Sequence, residues 1–532
     1  MPKPVQIAIS ITILLTLLLA ACSSAKKPVV VPEGAQAGDL ILKPCTFEAE
    51  KVKYEADCGT LVVQENRSKP SSRLIALPVV RIRATGPNPT EPILWLEGGP
   101  GQENIGFQYP PSLLENHDFV MVGYRGAEGS VVLDCPEVDQ AITGVGSDVL
   151  SEASLDRMAN AMRQCAERLQ SEGVDLEGYT IPEVVEDMEA ARVALDYERV
   201  NLLSESYGTR VAQIYAYLHP ESIHRSAMVG VNPPGHFVWE PDTVDAQIEL
   251  YADLCAQDTA CSARTDDLAE MMRAVAHNMP RRWLLLPIDP GKVRAVTFML
   301  LFHRSTAATV FDAYLAAEAG NPSGLALMSL AYDLIMPSAF IQGDLLAKGG
   351  SADYDPARDY RAELDPADSI IGSPVGVLIW EPASQGWPVK LIPDELRQVH
   401  TSDVETLLIS GSVDFSTLAQ FATDELLPYL PNGRQVILAE MGHTEDMRNV
   451  QPEATERLLT SFYDTGAADD SLFTYAPMDF HVGMGFPAMA KIGLGVVAAL
   501  IIVVAALIIV VAVVVWLVVR RISRRRATQA AA

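Results

Sequence analysis

Three residues far apart in the chain have the types needed to turn a hydroxyl into a nucleophile: Ser206, Asp414 and His443. Ser206 stands in Ser204-Glu205-Ser206-Tyr207-Gly208, between an apolar run (Val200 to Leu203) and a helix-like run (Val211 to Leu218). Strand, sharp turn and helix in that order hold a serine on a strained elbow at the top of a sheet. The usual elbow has glycine two residues before the serine; here that place is taken by Ser204. A serine hydroxyl attacks poorly until a base removes its proton. His443 is the base this arrangement predicts, with Asp414 fixing its tautomer and stabilising the imidazolium. In isolation each has a plainer reading: Ser206 as a cap or turn residue, Asp414 as a turn residue, His443 as the start of a helix.

The elements around these residues decide between the readings. Thr406 to Ser410 is a short apolar strand running into Gly411-Ser412-Val413-Asp414, and Gln435 to Leu438 runs into Met441-Gly442-His443-Thr444. Aspartate and histidine thus each follow a strand, and the order Ser206, Asp414, His443 is the one expected on this kind of sheet. Upstream, Thr60 to Gln64, Leu74 to Ala84, Ile93 to Leu96, Phe119 to Val122 and Ala227 to Val231 read as strands. Helical patterns lie over Ser151 to Gln170, Thr180 to Leu195 and Glu453 to Tyr463. Short apolar strands alternating with helices predict an α/β fold with a mostly parallel sheet covered on both faces. From Pro233 to His400 the pattern is mainly helical, an insert that reads as a cap over the catalytic face.

The ends of the chain carry membrane signals. Lys3, the apolar Ile7 to Leu19 and Leu19-Ala20-Ala21-Cys22 form a secretory signal. Its ending resembles the lipobox of bacterial lipoproteins, which implies lipidation of Cys22; an ordinary signal or an uncleaved anchor is the alternative. Ile492 to Val519 has no charge. A helix of that length spans about 42 Å, more than the roughly 30 Å hydrocarbon core of a bilayer. Arg520, Arg521, Arg524, Arg525 and Arg526 follow it, and the positive-inside rule places them in the cytoplasm and the body outside it.

The 532 residues are 49% hydrophobic, enough for a large core, and carry a formal net charge of −28. That charge argues against a nucleic-acid partner, which would call for a basic patch or stripe. Apart from Cys22 there are six cysteines, which allow fifteen pairings. They fall into three sequence-local couples, Cys45–Cys58, Cys135–Cys165 and Cys255–Cys261, all permitted in an oxidising compartment. A metal site is the alternative, and no Cys-x-x-Cys spacing with nearby histidines supports zinc.

Four segments together resemble the prolyl iminopeptidase and tripeptidyl aminopeptidase family of serine hydrolases: Leu96-Glu97-Gly98-Gly99-Pro100-Gly101, Arg125 to Ser130, Ser204 to Arg210 and Gly442-His443-Thr444. The likeness spans roughly residues 45 to 463. It departs at Ser204, at Gly123, where an aspartate often precedes the Arg-Gly pair, and after Asp414, where the customary Thr-Pro is missing. The resemblance implies an α/β-hydrolase fold, no metal or organic cofactor, and removal of residues from peptides with free N-termini. The developing oxyanion needs preorganised donors. The N–H groups of Tyr207 and Gly99 are the natural pair, since Pro100 has none. A charged N-terminus also calls for acidic side chains near the site, expected from the cap; Glu103 and Glu205 lie close to the catalytic segments. The expected organisation is a signal (1–22), a tether (23–44), a core in two parts (45–232 and 401–463) around a cap (233–400), a stalk (464–491), a transmembrane helix (492–519) and a basic cytoplasmic tail (520–532). A carboxylesterase on the same fold, and a membrane-tethered binding protein without catalysis, are the competing functions.

Overall fold

The computed structural model describes residues 29–144 and 148–530; the signal segment and Cys22 lie outside the described residues. Nine strands form one sheet. In chain order they are β1 (Leu40–Ala49), β2 (Val52–Gln64), β3 (Leu74–Ile82), β4 (Ile93–Leu96), β5 (Phe119–Val122), β6 (Val200–Glu205), β7 (Ile223–Val229), β8 (Glu405–Gly411) and β9 (Gly433–Leu438). They lie in the order β1-β2-β3-β5-β4-β6-β7-β8-β9. The first three and β5 pair antiparallel; from β5 through β9 every pairing is parallel. Every residue of β4, β5 and β6 is buried, the consequence of helices on both faces of continuous apolar runs.

β1 is the strand the sequence pattern hides. Residues 40–44, expected in the tether, pair with β2. The strand includes Pro44 and has no fully buried position, both marks of an edge. Cys45 on β1 is bonded to Cys58 on β2, and the other two disulfides are Cys135–Cys165 and Cys255–Cys261, the three expected couples.

Helices dominate 233–400, as expected, but the helical layer is not confined to that stretch. Pro136–Ile142 and Glu152–Ser171 share one apolar cluster with the cap helices, including Ile248, Phe311 and Trp380. A second correction concerns the stalk. Met478 and Phe480 are buried in the cap cluster, Met478 N–H donates to Glu440 Oε2 at 2.6 Å, and Arg304 holds the carbonyls of Ala476 and Pro477. The segment is a strap across the body. Its apolar residues follow no helix or strand period, so pattern alone gives no sign that they are buried. One helix, Phe486–Ala530, then runs through the uncharged stretch, and Phe486–Arg524 is long and apolar enough to cross a membrane.

Candidate active site

β6 ends at Glu205, and Ser206 follows at φ 50°, ψ −122°. Positive φ is costly for a residue with a Cβ and persists only where neighbours enforce it. Ser206 N–H donates to Val229 O at 2.9 Å, and Thr209 Oγ1 donates to Ser206 O at 2.6 Å. The helix Tyr207–Leu218 begins at once. Gly208 is required, because a Cβ there would sit 2.1 Å from Leu96 O. Ser204 is accommodated: fully buried, it donates its hydroxyl to Ala227 O at 3.2 Å.

Asp414 lies just past β8, fully buried, and accepts from the N–H groups of Ser416 and Thr417, both at 2.9 Å. Thr417 Oγ1 donates to Asp414 Oδ2 at 2.8 Å, so this chain supplies a threonine hydroxyl there without the Thr-Pro pair. His443, in the loop past β9, approaches Asp414 through Nδ1 at 2.8 Å. A carboxylate can only accept, so Nδ1 carries the proton and Nε2 is left as the basic nitrogen. The cap fixes the other side of this histidine: His443 N–H donates to Phe302 O at 2.7 Å, and the two rings meet edge to face. Burial pushes the imidazole pKa down, but the charge and hydrogen bond of Asp414 outweigh it and hold the ring above its ordinary value.

Ser206 and His443 line one cavity of about 980 Å³ between sheet and cap. The glycine loop forms its floor: a Cβ on Gly98 would lie 3.1 Å from Ser206 Cβ. Gly98 N–H donates to Glu97 Oε1 at 2.8 Å and Gly101 N–H to Asp344 Oδ2 at 3.1 Å, while Pro100 has no N–H. Gly99, at φ 116°, is the remaining donor of this turn.

The acidic side chains are in the cavity, but mostly from a different source than expected. Glu97 and Glu103 come from the glycine loop, Glu205 from the elbow, Asp134 and Asp139 from the segment around Cys135, and Glu445 from the histidine loop. None of these six belongs to 233–400. Glu205 is buried and held by Tyr109 Oη and by Arg448 Nη1, the latter at 2.5 and 2.6 Å from its two oxygens. Burial and the nearby Glu205 charge push Glu97 up to about 7. Arg448 and Glu97 were not singled out by the sequence reading. The legible signal was position, since Glu97 opens the glycine motif and Arg448 follows His443 within a short helix and its flank. Of the other motif residues, Arg125 is structural: fully buried, it grips Asp187 at 2.6 and 2.7 Å and the carbonyls of Glu65 and Gly178. Gly123 has no room for an aspartate, since a Cβ would meet Pro78 Cγ at 2.5 Å.

The family described as alpha/beta hydrolase fold matches residues 91–281. Tripeptidyl aminopeptidase of Streptomyces lividans is 26% identical over 208 residues, 36% of this chain and 38% of that protein. Serine protease Hip1 of Mycobacterium bovis is 25% identical over 254 residues, 42% of this chain and 46% of that protein. The chain thus spans less than half the length of these curated relatives. A serine hydrolase structure from Cycloclasticus zankles aligns with 77% of this chain and 100% of its own at 14% identity, with a TM-score of 0.35. The matched family segment contains the glycine loop and Ser206; Asp414 and His443 lie beyond it, and the fold brings His443 to the cavity with Asp414 paired behind it. The chain has the α/β-hydrolase fold, and the curated relatives it resembles by sequence are a tripeptidyl aminopeptidase and a serine protease.

Proposed function

We propose that the chain is a membrane-anchored serine aminopeptidase whose nucleophile, base and orienting acid are Ser206, His443 and Asp414. The observation that carries this reading is the Asp414–His443 pair, 2.8 Å apart, whose histidine lines the same cavity as a serine at positive φ. His443 Nε2 takes the Ser206 proton as Oγ attacks the scissile carbonyl, then returns it to the leaving amine; water hydrolyses the acyl-enzyme by the same route. The N–H groups of Gly99 and Tyr207 receive the oxyanion. Six carboxyl side chains on the cavity wall favour a substrate that brings in a positive charge, as a free peptide N-terminus does. Apolar residues of the same cavity, Phe237, Trp239 and Phe302 among them, suit an uncharged side chain or an acyl group. That wall is what keeps a carboxylesterase as the second reading.

The helix Phe486–Ala530 is the anchor, with its arginines on the cytoplasmic side and the disulfide-bonded body outside. The test uses the full chain in detergent, because the strap after residue 466 packs on the body. Peptide amides with free and with acetylated N-termini are compared, with Ser206→Ala as control. Cleavage of the free set alone, lost in the variant, is the expected result. Equal cleavage of both sets removes the aminopeptidase reading and keeps the triad, and turnover of acyl esters alone selects the esterase.

A further inference from the structure

The helix Ser323–Ile335 packs on the root of the apolar C-terminal helix. A Cβ on Gly324 would come within 3.0 Å of the Pro487 ring, and Ser323 Oγ donates to Pro487 O at 3.4 Å. The same helix packs against a small hairpin in which Arg282 pairs with Pro287 and Trp283 with Leu286. Its two-residue turn is Leu284-Leu285, with Leu284 at φ 53°. Such turns normally take asparagine, aspartate or glycine at positive φ, because a branched side chain is strained there. Here the strained turn presents leucines to the outside: Leu285 is 97% exposed and Leu284 60%. On the adjoining helix Leu334 is 74% and Ile335 53% exposed. The patch is therefore joined, through one helix, to the root of the C-terminal helix, whose stretch from Ile492 to Val519 is uncharged and exposed.

The charges beside it fit the same surroundings. Arg281 and Arg282 are exposed at the base of the hairpin, with Trp283 half-buried next to them. Lys491 is exposed immediately before the uncharged stretch. On a chain with net charge −28, arginines below an apolar tip are the arrangement that lies on anionic headgroups while leucines enter the acyl region. Tryptophan favours the boundary between the two.

We infer that the hairpin Arg282–Pro287 is a second membrane contact, its Leu284-Leu285 tip entering the leaflet beside the anchoring helix and its arginines resting on anionic lipid. This rests on the reading of Phe486–Ala530 as a membrane anchor. Two separate contacts hold the body in one orientation over the bilayer, where a single helix would let it swivel.

The experiment uses the full chain in bilayers of phosphatidylcholine and phosphatidylglycerol with brominated acyl chains. Trp516 reports on the anchoring helix, by difference between the wild type and Trp516→Phe. The added indole of Leu285→Trp reports on the hairpin, and so exposed a position tolerates the change. The expected result is blue-shifted emission from that added indole, quenched by brominated chains as Trp516 is. The quenching should weaken in Arg281→Ser/Arg282→Ser when phosphatidylglycerol is present. Quenching of Trp516 without quenching at position 285 overturns the hairpin contact and leaves the anchor standing. A blue shift at 285 that bromine does not quench means a protein surface covers the tip, a second copy included, and also overturns it. Quenching at neither place overturns the anchor and the hairpin contact with it.

Discussion

Arg448 Nη1 meets both carboxylate oxygens of Glu205, at 2.5 and 2.6 Å, one residue before Ser206. Glu205 is 3% exposed and Arg448 11%, so neither charge is screened by bulk water. Removing one partner of a buried pair leaves the other uncompensated, at a cost of about 3–5 kcal/mol. Arg448→Met is expected to lose about that much stability in chemical denaturation. Because Arg448 also holds Glu97 down, the same variant raises the Glu97 pKa further. Glu205→Gln/Arg448→Met restores most of the stability, since no unpaired charge remains; a double variant as unstable as the single one would contradict this account.

Under the proposed function, Glu97 should make the activity depend on pH. Its carboxyl, pushed from an ordinary 4.5 to about 7 by burial and by Glu205, is largely protonated in acid and ionised above neutrality. The folded chain binds the extra proton between those values, so the stability linked to Glu97 is present below about 4.5 and lost as pH rises through about 7. Capture of a free amine needs the ionised form and moves the opposite way. kcat/KM for free-amine peptides should therefore rise with pH in two steps, one through about 7 for Glu97 and one above the ordinary imidazole value for His443. In Glu97→Gln only the His443 step should survive, with KM raised about 10- to 100-fold, the worth of one charge-assisted hydrogen bond. An unchanged profile in that variant would remove Glu97 from amine binding.

The proposed catalytic residues are legible because each follows a strand, and strands of buried parallel sheet are short apolar runs that the sequence shows openly. Ser206, Asp414 and His443 needed only order and position. What stayed hidden is three-dimensional. β1 is an edge strand with Pro44 and half-covered residues, so it lacks the apolar run that marks β4 or β6. Met478 and Phe480 are single apolar residues in an irregular strap, buried in the cap cluster while Arg304 and Glu440 hold the backbone against the body. Asp134 and Asp139, two of the six acidic lining residues, stayed hidden for a related reason. The helix layer around Cys135 and Cys165 joins the cap in space but precedes the elbow in sequence, and no periodicity reports which layer a helix will join.

Thr417 is a positioning residue. Its hydroxyl donates to Asp414 Oδ2 at 2.8 Å and stands 3.3 Å from His443 Nδ1, so it helps to hold the carboxylate in the plane of the ring. Thr417→Val keeps the shape and removes that donor. A hydrogen bond to a charged group is worth about 1.5–3 kcal/mol, which corresponds to a loss of about 10- to 100-fold in kcat. KM should change little, since Thr417 is not on the cavity wall. Thr417→Ser should recover most of the rate. Equal losses in the serine and valine variants would point to packing and away from the hydroxyl.

The last prediction concerns the loop that carries Gly99. Asp344 and Lys348, one turn apart on the helix Gln342–Asp353, are both fully buried and pair at 2.6 Å. Asp344 Oδ2 accepts from Gly101 N–H, Ile341 N–H donates to Gly101 O at 2.9 Å, and Lys348 Nζ lies 4.8 Å from the Tyr124 ring centre. The helix Gln342–Asp353 and the residue before it thus clamp the glycine turn at Gly101. Lys348→Met strands a buried carboxyl and should cost about 3–5 kcal/mol. Asp344→Leu/Lys348→Met removes both charges, so its stability should return towards the wild type, while Gly101 loses its acceptor. If the clamp holds the oxyanion donor in register, that double variant folds normally yet has a lower kcat at nearly unchanged KM. Removing one oxyanion donor outright costs about 100- to 1,000-fold, so a loosened one should fall short of that loss. A double variant with full activity would show that the glycine turn keeps its shape without the cap.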